Sequence, residues 1–238
     1  MPNRPERQPH IAQNRHPCRR FHPLRTRVLL LRHAETSAPD CFHGAESDVG
    51  LGARGRAQAE AAARHLAALG PDVVICSGMR RALETAEPIA AACGVTIEVV
   101  EALHERRMGP LSGRPKVEGW AAYDAARTRW IAGDLDATHD GAESFAQIRD
   151  RVVPAFLDLA ERHAGKTIVV VAHGVVIRVL LTSLLEDYSP ADYDRIAIEF
   201  VAVNEIIGEG SCWRAMALGQ SVSSSNDPRC QLTGGADA

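Results

Sequence analysis

The sequence predicts an α/β fold, a three-layer α/β/α sandwich with a mostly parallel central sheet and a small cap insertion. Three observations lead there. Short aliphatic runs, "VLLL" (28–31), "DVVICS" (72–77) and "TIVVVAH" (167–173), read as strands buried on both faces. Helical segments separate them. Strands alternating with helices at this spacing imply parallel pairing, with helices on both faces of the sheet.

In order along the chain, a strand at 28–32 is followed by a loop and an Ala-rich helix from Ala53 to Leu69, which Gly70-Pro71 ends. A short strand at 72–77 leads into a helix from Arg80 to Cys93, closed by Gly94. "VTIEVV" (95–100) reads as a further strand. Residues 112–140 hold Pro115, several glycines, Trp120, Tyr123 and Trp130, and read as a partly helical cap inserted in the domain. A helix at 143–163, the strand at 167–173 and a helix from Gly174 to Glu186 follow; 196–207 and 211–218 close the sheet as an antiparallel pair. The flanks 1–26 and 221–238 lack a hydrophobic period and read as disordered tails, so the catalytic domain is placed at 27–220.

The composition narrows the function. Of 238 residues, 45% are hydrophobic and 24% charged, an ordinary globular balance with room for one large core. A formal net charge of −3 favours neither nucleic acid nor a membrane surface as partner. The six cysteines form no Cys-x-x-Cys pair and no disulfide framework, which points to a reducing, cytoplasmic setting. No apolar stretch approaches the length of a membrane span. Oligomeric state has no signature here.

Chemistry-bearing residues cluster at the ends of the strands. Arg32-His33 follows the first aliphatic run, and taken alone it also fits a strand that simply ends in polar residues. The pattern recurs at His173-Gly174. The run 72–77 delivers Arg80 and Arg81, and the strand 95–100 is followed by Glu105. In open α/β sheets the carboxyl edge is where ligands bind. Guanidinium groups bind phosphate by paired hydrogen bonds. A histidine can take a phosphoryl group as nucleophile, and a carboxylic acid can protonate a departing oxygen. A helix opening at Gly174 can offer backbone N–H groups to an anion, though a tight turn explains that glycine equally well.

These motifs, taken in order, resemble the histidine phosphatase superfamily, also called the phosphoglycerate-mutase-like family. Arg32-His33-Ala34-Glu35-Thr36 is similar to its opening motif. Gly44 followed by "DVGLGARGRAQA" (48–59), and Ser77, Arg81, Ala82, Thr85 and Ala86, resemble its next two. Glu105, Gly109 and Gly113, then "GAESFAQIRDRV" and "VVVAHGVVIR", complete the set over Val28 to Leu218. The resemblance implies a phosphoryl-accepting His33, a phosphate held by Arg32, Arg81 and His173, and a proton donor at Glu105, with no metal or cofactor. The expected partner is a small phosphorylated metabolite. Arg80 falls outside the motif and reads as a solvated neighbour.

One departure concerns phosphate binding. Many family members carry an Asn six residues after the nucleophile, where this chain has Pro39, in a short loop that ends at His43, a substitute candidate. Other readings fail on spacing. Cys76 is followed six residues later by Ala82 rather than the arginine of a cysteine phosphatase, and no P-loop exists. Three classes remain: a phosphomonoester phosphatase, a phosphoglycerate mutase-type isomerase, and a non-catalytic phosphate-binding module. The retained site residues oppose the last. The stretch from Glu105 to His173, short beside that of the mutases, favours the phosphatase.

Overall fold

The structure is a computed structural model that describes residues 25–222. A six-stranded sheet forms its centre: β1 (Thr26–Arg32), β2 (Val73–Cys76), β3 (Ile97–Val99), β4 (Thr167–Ala172), β5 (Val203–Glu209) and β6 (Cys212–Gln220). The strand order is β3-β2-β4-β1-β5-β6. The first four run parallel, and β5 and β6 join antiparallel beside β1. The sheet is therefore mostly parallel, as the alternating pattern required.

The period-2 alternation of a strand explains how one aliphatic run serves two cores. In β1, Val28 and Leu30 pack with α4 (Phe145–Arg162) and α5 (Gly174–Leu184), while Leu29 and Leu31 pack with α1 (Ala53–Ala67) and α2 (Arg80–Cys93). In β4, Val170 and Val171 divide in the same way. All four β1 side chains are fully buried. Deleting a buried Leu side chain of this kind costs roughly 2–5 kcal/mol.

Several boundaries differ from the sequence reading. The expected tails lie outside the described residues except at their inner ends, and there the boundary moves. Thr26 opens β1, is 3% exposed and pairs with Gly208; its hydroxyl accepts the Gly165 N–H at 3.3 Å. Val222 packs on the α1–α2 core. The strand expected at 95–100 contracts to β3, because it is a sheet edge with one neighbour. The strand expected at 196–207 starts only at Val203; before it the chain turns through Val201, at φ 51°. Ile196 and Ile198 are buried there by packing on α4 and α5, so their hydrophobicity marks core and not strand. The excursion at 112–140 carries one helix, α3 (Lys116–Ile131).

The order β2-β4-β1 sets three strand ends side by side. The His33 N–H donates to Ala172 O at 2.9 Å, and the Ser77 N–H to Val171 O at 3.1 Å. His33, His173 and Ser77 are thus neighbours at one edge by continuation of the sheet ladder.

Candidate active site

At the carboxyl edge of the sheet a cavity of about 230 Å³ opens beneath α3. Arg32, His33, Glu105 and Gly174 line it. Arg81 and His173 lie behind its wall, both 0% exposed. The two histidine rings sit 5.1 Å apart between centroids.

Local contacts fix the nucleophile's loop. The Ala34 N–H donates to Thr85 Oγ1 at 3.0 Å, and the Glu35 N–H to Gln58 Oε1 at 2.9 Å. Gly55 has no Cβ because none fits: one would stand 1.9 Å from Glu35 O. The small and polar motif positions on α1 and α2 are therefore the cradle of residues 33–35.

His33 Nδ1 lies 2.7 Å from Ala34 O. A carbonyl oxygen only accepts, so the neutral ring carries its proton on Nδ1 and a lone pair on Nε2. Burial, and then the charges of Arg81 and Arg32, push the His33 pKa well below its ordinary value. The ring is neutral at pH 7, which keeps that lone pair available.

His173 bonds Ser77 Oγ through Nε2 at 2.8 Å, and its buried Nδ1 has no partner. The same hydroxyl oxygen accepts the Met79 N–H at 3.2 Å. If the Ser77 hydroxyl donates to Nε2, it serves as both donor and acceptor, and His173 keeps its proton on Nδ1. Burial and Arg81 lower the pKa of this ring as well.

The guanidinium groups are held by carbonyls. Arg32 Nη1 donates to Ile198 O at 3.1 Å, and its guanidinium lies 4.0 Å from the centre of the Phe200 ring. Arg81 donates to Ser47 O at 3.1 Å and to His43 O at 3.2 Å, and burial lowers its pKa to about 10. It remains charged at pH 7. Nε of each arginine is buried without a partner, and neither has a carboxylate within 4 Å among the described residues. Arg80, by contrast, is exposed and pairs with Glu84 at 2.7 Å.

Glu105 is 8% exposed; Oε1 accepts the Arg106 N–H at 2.8 Å and Oε2 the Val175 N–H of α5 at 3.4 Å. Its loop is clamped by Arg151, which donates to Ala102 O, His104 O and Glu105 O at 2.7, 2.9 and 3.2 Å. Arg151 is in turn paired with Glu143 at 2.9 Å, next to the capping box of Ser144 and Gln147 that starts α4. Gly174 opens α5 without a left-handed φ; an added Cβ would touch the Arg32 guanidinium at 3.6–3.7 Å. Those are ordinary van der Waals distances, so neither a tight turn nor a steric clash requires the glycine.

His43 lines the cavity, with Nε2 bonded to Ala38 O at 2.7 Å and Nδ1 bare. Neutral, it presents a lone pair there, the wrong sign for a phosphate oxygen. Lys116 occupies this side instead, donating to Pro39 O at 2.5 Å. Lys116, Arg178, Phe42 and Phe200 line the cavity and were not singled out from the sequence; Trp120 and Tyr123, named there only as part of the cap, line it too. The available signal was spacing: Lys116, Trp120 and Tyr123 stand at i, i+4 and i+7 on α3. Among the described residues no group of three or more His, Cys, Asp or Glu could hold a metal ion, and no helix is long and apolar enough to cross a membrane.

A neutral imidazole with one free lone pair, set among guanidinium groups at a parallel sheet edge, defines a phosphoryl-transfer enzyme. Residues 28–221 match the histidine phosphatase superfamily (branch 1), and the chain belongs to that family and is a phosphatase by type. It is 33% identical over 168 residues to the glucosyl-3-phosphoglycerate phosphatase of Mycolicibacterium vanbaalenii, covering 67% of this chain and 74% of the other. It is 31% identical over 196 residues to a probable phosphoglycerate mutase of Salmonella paratyphi C, covering 79% and 87%. A solved mycobacterial glucosyl-3-phosphoglycerate phosphatase superposes with a TM-score of 0.73 at 26% identity, over 83% of this chain and 100% of that one.

Proposed function

We propose that the protein hydrolyses a small phosphomonoester through a phosphohistidine formed on His33. One observation carries this reading: Arg32 Nε, Arg81 Nε and His173 Nδ1 are buried and unpartnered, on residues whose charges or ring lie close to His33. Each buried unsatisfied group costs about 1–3 kcal/mol, and a phosphate that reaches them supplies the missing acceptors.

His33 Nε2 attacks phosphorus in line as the ester oxygen departs. Arg32 and Arg81 neutralise the charge that spreads over the phosphoryl oxygens. Protonated Glu105 gives its proton to the leaving oxygen. As carboxylate it then takes a proton from water, which attacks the phosphohistidine and releases inorganic phosphate and free His33. Lys116 and Arg178, the remaining cations of the cavity, suit a leaving group with a carboxylate or hydroxyls. The glucosyl-3-phosphoglycerate named for the relative has such groups.

His33→Ala abolishes turnover, and rapid quenching of the wild type traps an acid-labile phosphoenzyme. Full activity in the variant would sink the mechanism. Glu105→Gln slows hydrolysis of alkyl phosphates more than of 4-nitrophenyl phosphate, whose leaving group needs little protonation. The mutase reading is separated by 3-phosphoglycerate with catalytic 2,3-bisphosphoglycerate: a phosphatase gives negligible 2-phosphoglycerate.

A further inference from the structure

Trp120 is 52% exposed, whereas Trp130 and Trp213 are 0% and 1% exposed. Its ring stacks on Phe42 at 6.5 Å and an interplanar angle of 15°, with Tyr123 tilted against both at 5.6 and 5.5 Å. Tyr123 packs against the edge of the core on the α4–α5 face, whereas Phe42 and Trp120 belong to neither core of the sheet. The cluster is assembled at some cost. Gly119 lies inside α3, where a glycine weakens a helix by about 1 kcal/mol relative to alanine. A Cβ there would stand 2.8 Å from Leu111 Cδ2 and 3.0 Å from Phe42 Cε2, so the glycine is what lets α3 settle onto Phe42. The result is a half-open indole held at the rim of the cavity that contains His33.

The cavity has space for more than the reacting group. A phosphate fills the room of two or three waters, roughly 60–90 Å³, against about 230 Å³ present. The remainder lies under an aromatic wall with two cations, Lys116 and Arg178. A flat ring meets such a wall with its whole face; a three-carbon chain does not.

We propose that Trp120, backed by Phe42 and Tyr123, is a specificity-determining platform, and that the substrate is a phosphomonoester whose alcohol carries a ring laid on the indole. Ring-on-aromatic contact of this kind is worth about two- to twelvefold in affinity. A pyranose and an aromatic ring share this chemistry. The inference rests on the phosphomonoester reading above, so its test measures binding and not turnover.

The test is calorimetric titration of the His33→Ala protein, which cannot turn substrate over, with glucose 1-phosphate, phenyl phosphate and glycerol 3-phosphate. The expected result is at least about twofold tighter binding of one or both ring esters than of glycerol 3-phosphate. The better of the two identifies the ring as sugar or aromatic. Adding Trp120→Ala collapses that ratio to about one, and Trp120→Phe preserves it, with melting temperature confirming that each variant is folded. Equal affinities, no binding of any ester, or a ratio that survives Trp120→Ala overturns the proposal. Ring-selective binding without His33-dependent phosphate release would instead defeat the hydrolase reading alone.

Discussion

Ser77 shows how a residue outside the cavity can set the chemistry within it. Its hydroxyl accepts from Met79 N–H and meets His173 Nε2; when it donates to that nitrogen, the proton of His173 sits on Nδ1, the nitrogen without a partner. Ser77→Ala removes that donor. Inhibition by inorganic phosphate weakens several-fold, while Ser77→Thr restores it; imidazole nitrogen shifts report the tautomer. An unchanged tautomer in Ser77→Ala would show that Ser77 only packs. The adjacent arginines separate as sharply. Arg81→Ala costs on the order of 3 kcal/mol in kcat/KM, the scale seen for loss of a preorganised donor. Arg80→Ala leaves kcat/KM near the wild-type value, since that side chain faces solvent with Glu84. Equal losses in a steady-state assay of the two variants would show the assignment to be wrong.

At the scale of elements, α1 and α2 exist as much to brace the 33–35 loop as to cover the sheet. Thr85 and Gln58 hold the Ala34 and Glu35 backbone, and Gly55 lets α1 come against Glu35 O. Gly55→Ala gains helix propensity but forces a carbon to within 1.9 Å of a backbone oxygen, with no flexible side chain to yield. The steric term wins, because overpacking typically costs about 1–3 kcal/mol against under 1 gained. Lowered denaturation midpoint and lowered kcat together are the expected outcome; a stabilised, fully active variant would contradict the close approach. On the other side of the site, α3 is tied down by Arg127, which pairs with Asp124 on its own helix and with Asp194 beyond α5.

For the whole molecule, the buried histidines make stability depend on pH. Burial lowers the pKa of both His33 and His173 well below the ordinary value near 6.5, so each ring is neutral in the folded chain and takes up a proton on unfolding. The stabilisation is complete above about pH 6.5 and is lost as the pH falls toward the folded values, by roughly 1.4 kcal/mol per pH unit for each ring. Urea denaturation at pH 7.5, 6.0 and 5.0 measures it. His43, His104 and His139 shift in the same direction through burial and steepen the fall. Flat stability across this window would contradict a neutral histidine pair.

The sequence by itself determined the local chemistry: aliphatic runs long enough only for strands, helices between them, and polar residues set at strand ends. A run such as Val28–Leu31 buries both faces wherever it is placed, so parallel sheet and two helical layers follow from composition and period alone. Arg32, His33, Arg81, Glu105 and His173 could be singled out because each follows such a run and falls on the ordered motifs of the family. Only the tertiary structure decided that β4 inserts between β1 and β2, and this insertion brings His33, Ser77 and His173 together. Long-range pairing leaves no trace in local propensity. For the same reason Lys116 and Arg178 passed unnoticed, and Trp120 was read only as part of the cap. Their helices carry ordinary sequences, and only the descent of α3 over the sheet edge, which Gly119 and Phe42 permit, makes a cavity wall of them.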